Sequence, residues 1–281
     1  MHDPLPSLHD LPHRKRRTLR LHLRWLIPIL VVVGILLWGY LPTPTGPAAG
    51  TVIYGNAIRS STRPTLRVAT FNIHSGRNAA GQFNLDKTAA VLKGFDLIAL
   101  NEVRGKPMFQ NMDQAQVLGE KLNMQWLFAP TENRWWHESF GNGVLSAISV
   151  MDWKRTPLAG SFGRGKRNLI VLRVMLQGRT MNVLITHIDR GSDHKKQLAA
   201  VLEEFVNVSE PAVLMGDLNG EAGDPSIVPF LKAPGVKDVV GSAAADRIDW
   251  IFTRGLETVS AGIDRNDASD HPMVWAELKL P

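Results

Sequence analysis

In the string VLMGDLNG at 213–220, Asp217 and Asn219 stand two residues apart at the end of an apolar run. Side chains alternate along a strand, so residues i and i+2 face the same way, and one carboxylate and one amide would look into a single site. Such a pair can hold a water or a phosphate oxygen. The same residues also make an ordinary strand-to-turn exit, since Asp, Asn and Gly favour turns. Other apolar runs carry polar groups at their ends. LRVATFNIHSG at 66–76 closes on Asn72 and His74, and FDLIALNEVRG at 95–105 places Glu102 where the apolar residues stop. MNVLITHID at 181–189 ends in His187, and DRIDWIFTRG at 246–255 holds Asp249 among bulky residues. ASDHPMVW at 268–275 sets Asp270 and His271 just before the last run. Singly, each has a bland reading: a solvated loop carboxylate for Glu102, a core imidazole for His187, an edge charge for Asp249. Together, amides, carboxylates and imidazoles at strand ends mark a rim that a β scaffold can gather from distant segments.

The chemistry of this set fits a hard divalent cation. Mg²⁺ takes one or two carboxylates with water and substrate phosphate, and Mn²⁺ can replace it. Zinc would ask for more nitrogen or sulfur, and the nine histidines form no HExxH pattern. No GxxxxGK[ST] or GxGxxG phosphate loop and no GxSxG nucleophile elbow occurs. Cysteine is absent, which excludes disulfides and thiolate chemistry.

The 281 residues, 44% of them hydrophobic, suffice for a large buried core. The net charge of +6 is concentrated at the start, where residues 1–24 hold Arg14, Lys15, Arg16, Arg17, Arg20 and Arg24 against Asp3 and Asp10. The remainder has 26 basic against 24 acidic groups, a near balance that argues against tight, nonspecific binding along a nucleic-acid backbone. Arg164, Lys166 and Arg167 form a local basic patch that could bind an anion or simply be solvated. Trp135 and Trp136 beside His137 could stack on bases, dip into a lipid interface or pack on the body.

The basic tail, 1–24, runs into an uncharged stretch at 25–41, WLIPILVVVGILLWGYL, at the short end of what spans a bilayer. Trp25 at one end with Trp38 and Tyr40 at the other resemble interfacial anchors. The charge asymmetry predicts a single-pass transmembrane helix with a cytoplasmic N-terminus and an extracytoplasmic body. Small residues at 46–50 leave signal-type cleavage open as an alternative. Prolines at 42, 44 and 47 predict an extended linker over 42–64, followed by one domain at 65–281.

Runs of strand length recur at 66–72, 95–101, 144–150, 169–176, 181–187, 211–216, 247–253 and 273–280, with Gln177-Gly178-Arg179 as a hairpin loop. Leu85, Ala89 and Leu92 keep helical spacing behind a possible cap at Asn84, with Gly94 as a stop. Leu198, Val201, Leu202 and Phe205 repeat the pattern, and Asp224-Pro225 opens a shorter helix. Hairpins mixed with helical crossovers predict a layered α/β structure with mixed, largely antiparallel sheets.

In order and spacing, these residues resemble the endonuclease/exonuclease/phosphatase superfamily, the deoxyribonuclease-I-like group, here as a membrane-anchored member of bacterial type. GDLN and SDHxP are the most specific shared elements, supported by the NEVR and RIDWIF strings. The resemblance implies a four-layer αββα sandwich and a Mg²⁺-dependent phosphoester hydrolase, foremost a phosphodiesterase using in-line attack by water. It implies that Asn72 and Glu102 bind the metal, with Asp270 close to it. Asp217 would deprotonate the attacking water, and Asn219 would hold that water or a phosphate oxygen. His271, polarised by Asp249, and His187 would face the phosphate and leaving group, and Asn142 in GNGVLSAISV would donate to a phosphate oxygen. The chain departs from the family in having Asn101 where Gln is usual and Ala147 where an Arg is common. The implied partner is a phosphoester, whether nucleic acid, phospholipid or small phosphodiester, and no segment points to an obligate protein partner. A phosphomonoesterase or a silent binding module of the same fold are the alternatives.

Overall fold

The computed structural model describes residues 13–41, 43–51, 53–55, 64–106, 112–134, 137–160, 166–241 and 246–281, with the backbone alone for 13–23 and 40. Trp135, Trp136 and Arg164 lie outside the described residues, as do residues 1–12 of the basic tail. In chain order, the first half contains α1 (His13–Tyr40), β1 (Thr43–Pro44), β2 (Ala48–Gly50), β3 (Leu66–Asn72), α2 (Leu85–Leu92), β4 (Leu97–Arg104), α3 (Gln114–Leu122), β5 (Gln125–Asn133), β6 (Phe140–Ser146) and β7 (Val150–Pro157). The second half adds β8 (Asn168–Leu176), β9 (Arg179–His187), α4 (His194–Asn207), β10 (Ala212–Asp217), α5 (Val228–Lys232), β11 (Lys237–Asp238), β12 (Asp249–Arg254), β13 (Glu257–Asp264) and β14 (Met273–Lys279).

The strands form two seven-stranded sheets, β1-β5-β6-β4-β3-β14-β13 and β11-β12-β10-β9-β8-β7-β2. Only β3 with β4 and β9 with β10 run parallel among the described pairs, and the rest are antiparallel. Leu66, Val68, Leu97 and Ala99 of the first sheet meet Ile170, Val183, Ile185, Val213 and Met215 of the second in one apolar layer. The outer face of the first sheet, with Phe71, Ile98 and Leu100, is covered by Leu85, Leu92 and Leu118 of α2 and α3. On the second sheet, Leu184, Leu214 and Phe252 pack against Leu198, Val201 and Phe205 of α4 and Phe230 of α5. The result is a four-layer αββα sandwich of mixed sheets. Because the central strands are covered on both faces, their sequences read as continuous apolar runs instead of alternating ones.

Local signals set several elements. Asn84 caps α2 by accepting from the Lys87 amide at 3.0 Å. Gln177 and Gly178, at φ 50° and 78°, make the two-residue turn between β8 and β9. Three expectations need correction. The run at 144–150 is the end of β6, a turn closed by Ser146 Oγ on the Ile148 backbone, and the first residue of β7. Strand β5 carries Pro130 at a register shift, and β13 is a polar edge strand, so neither presents the apolar run that marks a strand.

The third correction concerns 42–64, whose described residues include paired ones, at 43–44, 48–50 and 54. Thr43 and Pro44 add to the β5 edge of one sheet, while Ala48 to Gly50 add to the β7 edge of the other. Thr45 Oγ1 donates to the Pro130 carbonyl at 2.7 Å, Ile53 enters the core, and Tyr54 and Trp126 exchange backbone hydrogen bonds at 2.8 and 2.9 Å. This strap covers two edges that would otherwise present unpaired backbone groups. The uncharged run expected to span a bilayer forms the later part of α1, with Trp25, Ile27, Leu30 and Leu37 exposed. Among the described residues no helix is long and apolar enough to cross a membrane.

Candidate active site

Parallel pairing of β3 with β4, and of β9 with β10, brings the C-terminal ends of all four strands to one end of the sandwich. There Asn72 sits beside Asn101 in one sheet. Asp217 sits between His187 and Asp249 in the other. Gly216 makes that row possible: a Cβ there would lie 1.9 Å from the Thr186 carbonyl oxygen, and its φ of 150° is one that side-chain-bearing residues rarely adopt. The loop before β14 is tied down by Ser269 Oγ, which donates to the Asn72 carbonyl at 2.7 Å and accepts from the His271 amide at 3.2 Å.

The buried Asp217 carboxylate is the hub. Its Oδ2 accepts from Asn72 Nδ2 at 3.0 Å and lies 3.4 Å from His187 Nε2 and 3.9 Å from His271 Nε2. Oδ1 accepts from the Asn219 amide at 2.9 Å. Burial, and then the charge of Asp249, raise its pKa above the usual carboxylate range, against the opposing pull of His271, Asn72 and the Asn219 amide. The other face of His271 is held by Asp249, with Nδ1 2.8 Å from Asp249 Oδ2. Burial pulls the imidazole pKa down, but the hydrogen bond and charge of Asp249, with Asp217 and Asp270, outweigh it and raise the value from 6.5 to about 9. His187 is the converse: burial, then the charges of Arg167, His271 and Arg190, hold its pKa well below 6.5, so its ring is neutral. The two imidazoles therefore differ in charge at neutral pH, one a cation and one a neutral hydrogen-bonding group.

Glu102 occupies a β-bulge. Leu100 pairs with Gly143 and Val103 with Gly141, so Asn101 and Glu102 together oppose Asn142. Glu102 adopts φ 57°, and His74, Ser75 and Asn219 at the same rim are also left-handed, at 46°, 58° and 51°. Such conformations are unusual for residues other than glycine and gather at functional sites. The bulge turns Asn101 inward and Glu102 toward a cavity of about 480 Å³ shared with His74, Arg104 and His137. Across the rim, the exposed Asp270 lies 3.3 Å from His74 Nδ1.

An oxygen-rich donor set suits Mg²⁺ or Mn²⁺, and the oxygen donors at this end of the sandwich include Glu102, Asp270 and Asn72. The Glu102 carboxylate accepts no hydrogen bond from the described residues and stands ready for a cation. Asp270 is solvent-facing, and among the described residues Asn72 Oδ1 accepts only the His74 amide, at 3.1 Å, leaving a lone pair. Asp217, Asp249 and His271 also place three ligand-type atoms within 4.8 Å of one another. Within that triad Asp249 Oδ2 is taken by the His271 imidazolium, while Asp249 Oδ1 is buried without a partner among the described residues.

Most of the residues singled out from the sequence converge here, but two have other duties. Asn142 is 1% exposed, with Oδ1 accepting from Asn101 Nδ2 at 2.8 Å and Nδ2 donating to Asn168 Oδ1 at 2.9 Å, so its amide links two other asparagines beneath the rim. Asn219 uses Nδ2 on the Ile188 carbonyl, at 2.8 Å, and Oδ1 on Arg190 Nε, at 2.5 Å, which braces it beside Asp217. The sequence reading missed a buried amide chain. Asn101 accepts from the Asp217 amide at 2.9 Å and donates to the Thr186 carbonyl at 3.0 Å, joining the two sheets under the site. Asn168 continues it to the Ala129 and Pro130 carbonyls at 3.2 and 3.1 Å. The available signal was an asparagine at the edge of each of two apolar runs, Asn101 closing one and Asn168 opening the other. Ala147 lies at the far end of β6, near Asp96, so the absence of an arginine there leaves the site untouched.

A sequence profile of the Endonuclease/Exonuclease/phosphatase family matches residues 69–271. No curated protein sequence matches the chain. Among solved structures, an endonuclease/exonuclease/phosphatase from Beutenbergia cavernae is 25% identical, with a TM-score of 0.63 over 78% of this chain and 72% of that one. The human Nocturnin catalytic domain with bound sulfate is 16% identical, with a TM-score of 0.60 over 84% and 98%. D. rerio TDP2 complexed with single-strand DNA product is 17% identical, with a TM-score of 0.56 over 76% and 99%. The last two likenesses are of fold.

Proposed function

Since the chain belongs to the endonuclease/exonuclease/phosphatase family, we propose that its sandwich domain hydrolyses a phosphodiester with Mg²⁺, or Mn²⁺ in its place, held by Asn72, Glu102 and Asp270. The observation that carries this reading is Asp217, a buried carboxylate of raised pKa set between the neutral His187 and the Asp249-bound His271. A carboxylate whose pKa approaches the working pH is suited to take a proton from water. Water adds to phosphorus, one P–O ester bond breaks, the departing alkoxide takes a proton from solvent and a phosphate monoester remains. Asp217 receives the proton lost by the water, while Asn72 Nδ2 and the Asn219 amide fix the carboxylate's orientation. The His271 imidazolium, whose Nε2 points toward Asp217, donates to the phosphate oxygens on which charge grows. His187 donates from the opposite side as a neutral ring. When bound, the cation supplies Lewis-acid stabilisation of that same charge.

Room on both sides supports a diester over a monoester. The Glu102 side opens into the cavity of about 480 Å³, and the His271 side into one of about 250 Å³ lined by Arg190, Arg265 and Pro272. The likeness to TDP2 with a DNA product keeps nucleic acid among the candidates, beside phospholipid and small phosphodiesters. The test is turnover of bis(p-nitrophenyl) phosphate and p-nitrophenyl phosphate by the full chain with Mg²⁺ or Mn²⁺, followed by DNA and lipid vesicles. Diester turnover lost in Asp217→Ala, by about 10²-fold or more, is the expected result. A preference for the monoester would replace the diesterase reading, and no metal-dependent turnover would favour a silent binding module.

We further propose that residues 25–41 attach the chain to a membrane, N-terminus inside and catalytic domain outside. The support is the uncharged run itself, its flanking aromatics and the basic residues before it. Carbonate extraction of cell membranes should leave the full chain in the pellet and release a chain lacking residues 1–41, and full-length chain in the soluble fraction would refute it.

A further inference from the structure

Arg167 precedes β8 at the site's end of the second sheet. Leu169 pairs with Thr186, so the register carries Arg167 to the level of His187 to Asp189. Its guanidinium is deeply desolvated, and its Nε is buried without a hydrogen-bond partner. Among the described residues its head group makes one hydrogen bond, a long one of 3.4 Å from Nη1 to the neighbouring Lys166 carbonyl, and no ion pair. Arg155, Arg247 and Arg254 share a buried Nε that makes no hydrogen bond among the described residues, but their terminal nitrogens are engaged by the protein. Arg247 pairs with Asp238, and Arg254 pairs with Glu210 at 3.2 Å while donating to three carbonyls at the end of α4. Arg155, also desolvated, donates to the Gly46 carbonyl of the strap at 2.8 Å. Burying an uncompensated cation is costly, and it persists where an anion completes the site.

The surroundings say where that anion sits. Asp189, Asp217, Glu102 and Glu132 all act on the Arg167 charge, and Arg167 in turn helps hold His187 neutral. The strand register sets Arg167 at the same end of the second sheet as His187 and Asp217, the end where the hydrolase reading seats the scissile phosphate. We propose that Arg167 is a further catalytic residue, donating from its planar fork to the non-bridging oxygens of the phosphate under attack. It transfers no proton; it neutralises charge that grows as the water–phosphorus bond forms. A guanidinium matches two phosphate oxygens at once, which an ammonium cannot do. The inference rests on the hydrolase reading, so its test also reads binding alone.

The experiment compares the full chain with Arg167→Ala and Arg167→Lys, using bis(p-nitrophenyl) phosphate with Mg²⁺ for turnover and inorganic phosphate for binding by calorimetry. The expected result is a kcat lower by about 10²-fold in R167A, phosphate affinity weaker by about tenfold, partial recovery in R167K, and further recovery of R167A on adding guanidinium ion. The melting temperature of R167A should not fall, because an unpaired buried charge has been removed. Wild-type kcat and phosphate affinity in R167A would overturn the proposal, as would a loss of activity accompanied by unfolding and rescued by neither Lys nor guanidinium. If the wild type turns over no ester, the hydrolase reading fails by itself, and phosphate binding by wild type against R167A still decides whether Arg167 holds the anion.

Discussion

Replacing Asp249 by Asn separates the charge of the Asp249–His271 pair from its shape. The side chains are nearly isosteric, and an Asn oxygen can still accept from Nδ1, now that of a neutral ring. In the wild type the imidazole pKa is raised from 6.5 to about 9. At about 1.36 kcal/mol per tenfold change, this is a preference for the cation of about 3 kcal/mol at most, since solvent at the pocket mouth screens part of it. Without the carboxylate, burial becomes the leading influence, and the pKa should drop to 6.5 or lower. At pH 8 the ring would go from roughly ten to one protonated to roughly one in thirty. If His271 must be cationic to face the phosphate, kcat/KM should fall by about 10²-fold. Nitrogen-detected or ¹H–¹⁵N NMR of the histidine rings in metal-free protein, titrated from pH 5 to 10, reads the pKa directly. Stability supplies a second reading with a fixed sign. A histidine pKa raised by folding contributes stability fully present below 6.5 and lost as pH rises through about 9, so urea unfolding of the wild type should lose this contribution across that window and D249N should not. A D249N protein whose His271 still titrates near 9, or whose kcat/KM is unchanged, would refute the reasoning.

Glu102→Gln should weaken Mn²⁺ binding, measured by calorimetry, by at least about tenfold, while the melting temperature in EDTA stays put because the carboxylate accepts no hydrogen bond from the described residues. Undiminished Mn²⁺ affinity would remove Glu102 from the metal site. Asn142→Ala should cost about 1–3 kcal/mol in urea unfolding, because it strands buried groups of Asn101 and Asn168. A variant of wild-type stability with a raised KM would instead return Asn142 to the substrate. A chain starting at residue 65 should melt lower and self-associate more than one starting at 42, because both sheets lose an edge cover. Light scattering showing two equally stable monomers would contradict that.

The sequence by itself determined which chemistry was on offer and roughly where it would lie along the chain. Strand β3 ends at Asn72, β9 at His187 and β10 at Asp217, as the apolar runs indicate, and α2 starts behind Asn84. These features are local: burial on both faces writes an apolar run, and its end is marked by the first residues that need water or a partner. Elements without such a run, β5 with its proline bulge and the polar edge strand β13, left little trace. Tertiary structure alone decided which polar groups bind and which support. Asn142 looked like a substrate contact and is a buried link, while Asn101 looked like a departure and joins the sheets. Arg167, read from the sequence as an anion contact or a solvated charge, has a buried Nε at the site's end of the second sheet, and a segment read as linker pairs with two sheet edges. The reason is distance along the chain. Asn72 meets Asp217 across 145 residues and His271 across 199, and no periodicity carries information over such separations. Whether a polar side chain is satisfied, charged or free depends on the neighbours that folding brings to it.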